Sequence, residues 1–227
     1  MNRLILLLAF CLFAISFQLY AQTPLRKTNF SKINQKSIRK FLKSQMELGI
    51  VNFEDFQPSV TAQTVTNDYD TNLHQFQLER PLESGWKAYL TAHPATVWQG
   101  KVVSCGMVYS QTEKKLIFPD DQYSGLEVGQ IFFIEMRIFF RMIHFPVCFM
   151  VTNIDENLRQ ITFSYISTGS SKGAQTIQLI DSGKGFSQII HSSIHQTENK
   201  LRDRTLYPIY HKKAIAEVHQ NIQEYMR

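Results

Sequence analysis

Cysteine is scarce in this 227-residue chain: there are three, and only Cys105 and Cys148 lie beyond the first 21 positions. That excludes a disulfide-stapled scaffold, and two cysteines so far apart do not make a zinc site. Acidic residues are missing from the start, since none precedes Glu47. The motifs of common chemistries are missing too. There is no G-x-S-x-G nucleophile elbow, no H-E-x-x-H zinc helix and no G-x-x-x-x-G-K-[ST] phosphate loop. GSSKG (169–173) and SGKG (182–185) imitate the last, but each joins two strand patterns, whereas a phosphate loop leads into a helix. Both read as hairpin turns. Asp120 and Asp121 have no further ligands nearby in sequence, so no metal site and no cofactor is expected.

What is present begins with a targeting pattern. Arg3, an apolar run over 4–17 and Leu19-Tyr20-Ala21 before Gln22 have the form of a secretory signal peptide. The run is short for a spanning helix, which needs about 20 apolar residues, and no later segment is apolar enough to span. The expectation is export to the periplasm or beyond the cell. About 206 residues would remain, enough for one domain with an extension. Eight basic residues precede Glu47, and without them the formal +5 becomes −3. The main domain is mildly acidic and lacks the footprint of a nucleic-acid binder.

The extension, 22–73, divides in three. Residues 22–35 are polar and read as mobile. Residues 36–48 read as a short helix with Ile38, Phe41, Leu42 and Met46 on one side. Its basic side, with Arg39, Lys40 and Lys43, could touch an anionic membrane surface or simply be solvated while the apolar side docks. Residues 50–73 have no period and read as a linker or wrapping segment. From 74 to 227 the pattern changes. HQFQLER (74–80) alternates and ends at Pro81, and 82–100 reads as two short helices, the second opened by Pro94. Strand patterns follow at 101–110, 115–118, 130–140, 147–154, 160–166, 174–181 and 186–196. Their short connections require antiparallel neighbours. The last 20 residues carry Ile215, Val218, Ile222 and Tyr225 at helical spacing, a stripe suited to covering one face of a sheet.

This order resembles the START-like, or SRPBCC, helix-grip superfamily. His93-Pro94 and Val97-Trp98 in the helical pair, the sheet from 130 to 196 and the terminal helix from about 206 carry the resemblance. It covers about 74–227 and implies an α+β fold, a curved antiparallel sheet wrapped on the long C-terminal helix. It also implies an apolar cavity between them for a lipid or other hydrophobic small molecule, with hydrolases and cyclases as rarer functions of the same shape.

The candidate ligand-binding residues are Glu135, Arg137, His191, His195 and His211. Period two puts His191, Ser193 and His195 on one face of their strand, opposite Ile190 and Ile194. Four residues apart on a strand, the two histidines stand about 13 Å apart and cannot share a metal. His211 falls on the helix stripe, where it either stabilises the core or serves as an acid–base group. Glu135 and Arg137 share a strand face and either pair at the surface or orient a ligand's head group from inside. No catalytic residue is assigned. A bridge between Cys105 and Cys148 would be worth roughly 4 kcal/mol by loop entropy; the alternative is two buried free thiols in neighbouring strands.

Overall fold

The computed structural model describes residues 22–139, 141–196 and 207–227. The expected signal peptide and Phe140 lie outside them. The fold is α+β, built on one eight-stranded sheet in the order β1-β8-β7-β6-β5-β4-β2-β3. The strands are β1 Asp70–Leu78, β2 Val103–Ser110, β3 Lys115–Ile117, β4 Ile131–Ile138, β5 Ile143–Asp155, β6 Gln160–Tyr165, β7 Lys172–Gly183 and β8 Phe186–Gln196. Every pairing is antiparallel. The helices are α1 Lys36–Glu47, α2 Leu82–Thr91, α3 Pro94–Val97 and α4 Tyr207–Tyr225. Two differences from the sequence pattern concern bounds. β1 begins at Asp70, inside the stretch read as linker, and β5 begins at Ile143 rather than 147.

Strand alternation distributes the apolar residues over two cores. On β4, Phe132, Ile134 and Met136 join the inner core with α2, α3 and α4. Ile131 and Phe133 join an outer core with α1. That is why consecutive aromatics occur in β4: both faces of the strand are covered. On β2 a bulge between Cys105 and Met107 changes the parity, so Cys105 faces inward and Met107 outward. Ile38 of α1 sits over Gly106 at this bulge, where a side chain would collide with it.

The outer core corrects the reading of residues 22–35 as mobile, while α1 docks by its apolar side. Leu25, Ile33, Ile38, Leu42 and Phe53 are fully buried and Phe56 nearly so. Each such side chain contributes about 1.5–3 kcal/mol, before the entropy of ordering the chain. Residues 22–35 form two 3-10 turns packed on the sheet. The wrap continues to Pro58, which bridges to Ile166. Short apolar anchors spaced irregularly along a 3-10 path leave no periodic signal in the sequence.

Of the two readings of the cysteines, a bridge or buried free thiols, the structure shows the second, though not in neighbouring strands. Cys105 and Cys148 are both free and buried. β4 lies between their strands, which places them about 10 Å apart at sheet spacing, beyond the roughly 7 Å Cα limit for a bridge. They also face opposite cores.

Helix α4 is fastened by more than its apolar stripe. The Glu217 carboxylate accepts backbone N–H groups from Lys101 at 2.5 Å, Val102 at 2.8 Å and Val103 at 2.9 Å. Asn221 donates to the carbonyls of Val97 and Gln99. Gly173 is needed at its place in β7, since it has φ +142° and a β-carbon there would strike the Ile194 carbonyl.

Candidate functional site

Five of the seven histidines converge under α4. His191 and His195 point inward from β8, whose burial alternates strictly from Ser187 to His195. His74 stands opposite His191 on the edge strand β1. His211 and His219, eight residues apart, share the buried side of α4. The sequence reading brought His191, His195 and His211 forward, and the structure places all three here. His219 was missed although helical period puts it on the same stripe. Gln175 was missed because the polar alternation of β7 does not reveal which set of residues faces inward.

A continuous hydrogen-bonded chain joins the group. The Gln175 amide oxygen lies 2.9 Å from Nε2 of His191 and 3.1 Å from Nε2 of His211. Both rings therefore donate through Nε2, because an amide oxygen only accepts. His191 then accepts at Nδ1, 3.0 Å from Nε2 of His219, and His219 accepts at Nδ1 from the Tyr89 hydroxyl at 2.5 Å. From its other side the Gln175 amide nitrogen donates to the Tyr165 hydroxyl at 2.8 Å, and Tyr165 meets the Tyr207 hydroxyl at 2.8 Å. Tyr207 lies between the rings of His195 and His211, stacked at 3.5 and 4.9 Å. Among the described residues, no carboxylate belongs to this chain of bonds.

Burial sets the protonation. Loss of water pushes His191 well below the ordinary histidine value and takes His211 and His219 to about 3, with the neighbouring histidines adding to the effect. The rings are neutral near pH 7. Nδ1 of His211 has no hydrogen-bond partner among the described residues, although the residue is only 6% exposed.

His211 also lines a cleft of about 80 Å³ between α4 and the strands β4 to β6. Met136, Ile138, Phe145 and Val147 form its apolar side, and Tyr165, Tyr207 and Tyr210 complete it near His211. This is room for several waters at about 10–15 Å³ each, and less than the roughly 300 Å³ at which sites for drug-sized ligands begin. A second inner void of about 30 Å³ lies by Tyr89, Trp98 and Tyr123.

Glu135 and Arg137 are elsewhere. They face the outer layer, where the Glu135 carboxylate accepts from Ser37 of α1 at 2.6 Å, pairs with Arg137 at 3.3 Å and meets His144 at 2.9 Å. Burial alone would raise the Glu135 pKa, but bonds from Ser37, His144 and Arg137 lower it on balance. The same contact raises that of His144. These residues flank an open groove of about 480 Å³ with Lys36 and Lys40. The sheet thus separates Glu135 and Arg137 from the three histidines they were grouped with. Lys40 and Lys43 are exposed on α1, while Arg39 is tied to the carbonyls of Ile33 and Asn34.

No protein-family model matches the chain, and no curated protein matches its sequence. Solved structures do match. A norcoclaurine synthase point mutant from Thalictrum flavum, in complex with a transition-state analogue, is 13% identical over 72% of this chain and 97% of its own, with a TM-score of 0.50. Major latex-like protein 151 from Panax ginseng is 12% identical over 70% and 98%, TM-score 0.51. The ZhuI aromatase/cyclase from Streptomyces sp. R1128 is 8% identical over 70% and 93%, TM-score 0.51. The fold is the START-like helix grip. Against that frame, the 22–60 wrap is additional to the helix-grip unit expected over 74–227, and the histidine group lies where the gripped helix meets the sheet.

Proposed function

We propose that this is an exported binding protein that holds a small apolar molecule, or one end of a larger one, in the cleft between α4 and β4–β6. The observation that carries the proposal is an apolar-walled cleft of about 80 Å³ whose polar end is formed by Tyr165, Tyr207, Tyr210 and His211. A merely structural core fills such space. The volume narrows the occupant to about one ring or a short chain end rather than a whole lipid. The protonation states favour binding over acid–base turnover, because a general acid or base works best with a pKa near the operating pH and His211 and His219 lie near 3. Any contact of α1 with an anionic membrane surface would be electrostatic, through Lys40 and Lys43, since the apolar side of α1 is used on the sheet.

The test is native mass spectrometry of the protein recovered from its own host, beside the variant Val147→Trp, which fills the cleft. The wild type is expected to carry an added small mass that organic solvent extracts, and the variant to lack it while keeping the circular dichroism of the wild type. A bare polypeptide in both, or the same added mass in both, overturns the reading. N-terminal sequencing of the same sample tests export, with Gln22 expected as the first residue.

A further inference from the structure

We infer that the end of the β4–β5 hairpin is a membrane-docking surface: Met142 and Ile143 enter an anionic lipid layer while the cations beside them meet its phosphate groups. The inference concerns the outside of the molecule and stands whether or not the cleft holds a ligand. Among the described residues, Met142 and Ile143 are the only consecutive pair of exposed large apolar side chains, at 76% and 47%. Single exposed apolar residues are ordinary on a surface, whereas a cluster marks a contact site. The pair also sits on a fixed support. The Met142 N–H donates to the Phe139 carbonyl at 3.1 Å, and the Phe139 N–H donates to the Tyr210 hydroxyl of α4 at 3.1 Å.

Strand register separates the apolar groups of this hairpin from its charges. Ile143 pairs with Ile138, which lines the cleft, while the adjacent pair, Arg137 and His144, faces α1. There the two flank the open groove of about 480 Å³ together with Lys36 and Lys40. Arg141 is exposed beside Met142, and the Lys213 ammonium lies over the Tyr210 ring at 5.5 Å. Buried Glu135 offsets one of these charges through Arg137. No acidic residue follows it before Asp155, and α4 has none before Glu217. The surroundings of the tip are thus cationic. Two aliphatic side chains at the end of a hairpin are too few for a protein interface, where each partner buries about 800 Å². A fluid lipid layer requires no complementary shape, and is held by inserted apolar groups together with basic residues near anionic head groups.

The experiment is co-sedimentation of the protein recovered from its own host with vesicles of phosphatidylcholine, alone or mixed with phosphatidylglycerol. The wild type is expected to bind the mixed vesicles, more weakly as salt is raised, and the neutral ones poorly. The double variant Met142→Ser, Ile143→Ser changes only exposed side chains, and is expected to keep the circular dichroism of the wild type and bind about ten-fold less. Arg141→Gln is expected to bind about five-fold less. Met142→Trp is expected to gain emission that brominated acyl chains quench. Val147→Trp, with the cleft filled, is expected to bind vesicles like the wild type, so the docking and ligand readings fail separately. Equal binding by the wild type and the double variant, no binding to the mixed vesicles at low salt, or no quenching of Met142→Trp overturns the inference. A dimer in solution that the double variant abolishes would assign the tip to a second copy and overturn it as well.

Discussion

At Gln175 a single amide oxygen holds two imidazole N–H groups from different elements, His191 of β8 and His211 of α4. Replacing it by leucine keeps the bulk and removes the acceptor. Each buried donor left alone costs about 1–3 kcal/mol, so Gln175→Leu should lose roughly 2–5 kcal/mol of stability in urea unfolding. Gln178→Leu, on the other face of the same strand and bonded to the Leu158 carbonyl near the surface, should stay within about 0.5 kcal/mol. Equal losses would mean that the buried chain of bonds is not maintained. At this scale the sequence was half legible. Alternation grouped His191 with His195 and helical spacing placed His211, but the partners that define their chemistry, Gln175, Tyr89 and Tyr165, come from three other elements. Only the assembled sheet brings them within hydrogen-bond reach.

Among the elements, α4 was the most legible, because a stripe of Ile215, Val218 and Ile222 requires burial and all three are buried, Val218 and Ile222 in the inner core with the sheet. Its second attachment was not legible. Glu217 reads as an ordinary charged helix position, yet its carboxylate holds three consecutive backbone N–H groups where the chain enters β2. Charge-assisted bonds of this kind are the stronger class. Glu217→Gln keeps the shape but sets an amide N–H among donors, and should cost about 1–3 kcal/mol. Hydrogen exchange should speed up first at the amides of 101–103. Unchanged exchange there would show that α4 is held by its apolar stripe alone. Glu135 teaches the converse: its two readings were a pair with Arg137 and a ligand's head group, and the structure shows the pair, completed by Ser37 of the outer layer because β4 is covered on both faces.

For the whole molecule the buried histidines set the response to acid. His191, His211 and His219 are shifted below their ordinary value by burial, the latter two to about 3. Above about pH 6.5 neither the folded nor the unfolded chain protonates them, and their contribution is whole. As pH falls from 6.5 toward 3, only the unfolded chain takes up protons, and stability is lost. Three such groups at about 1.4 kcal/mol per pH unit each remove roughly 4 kcal/mol per unit. For a domain with about 5–15 kcal/mol to lose, unfolding should fall near pH 4 to 5, as followed by tryptophan fluorescence. His144, raised by Glu135, has the opposite sign and fades as pH rises, but it is exposed and weak. A midpoint below about pH 3.5 would show that the folded state accepts these protons. The overall α+β architecture was legible because eight strand patterns with short connections precede one long periodic helix. The 22–60 wrap was not, since Leu25, Ile33, Phe53 and Phe56 are isolated anchors whose common destination is the far side of a sheet.

The placement of the two thiols gives this molecule a pair of internal clocks. Cys105 looks into the inner core and Cys148 into the outer one. Burial pushes Cys105 to about 12 and Cys148 well above the ordinary thiol value, so neither forms a reactive thiolate while its own layer is closed. The alkylation rate at Cys148 therefore counts how often the N-terminal wrap lifts, and the rate at Cys105 how often the helix side opens. In dilute urea, Cys148 labelled well ahead of Cys105 would mean that the wrap detaches as a unit from a sheet still gripping its helix. Labelling in step would mean that the two layers, joined through one sheet, open only together.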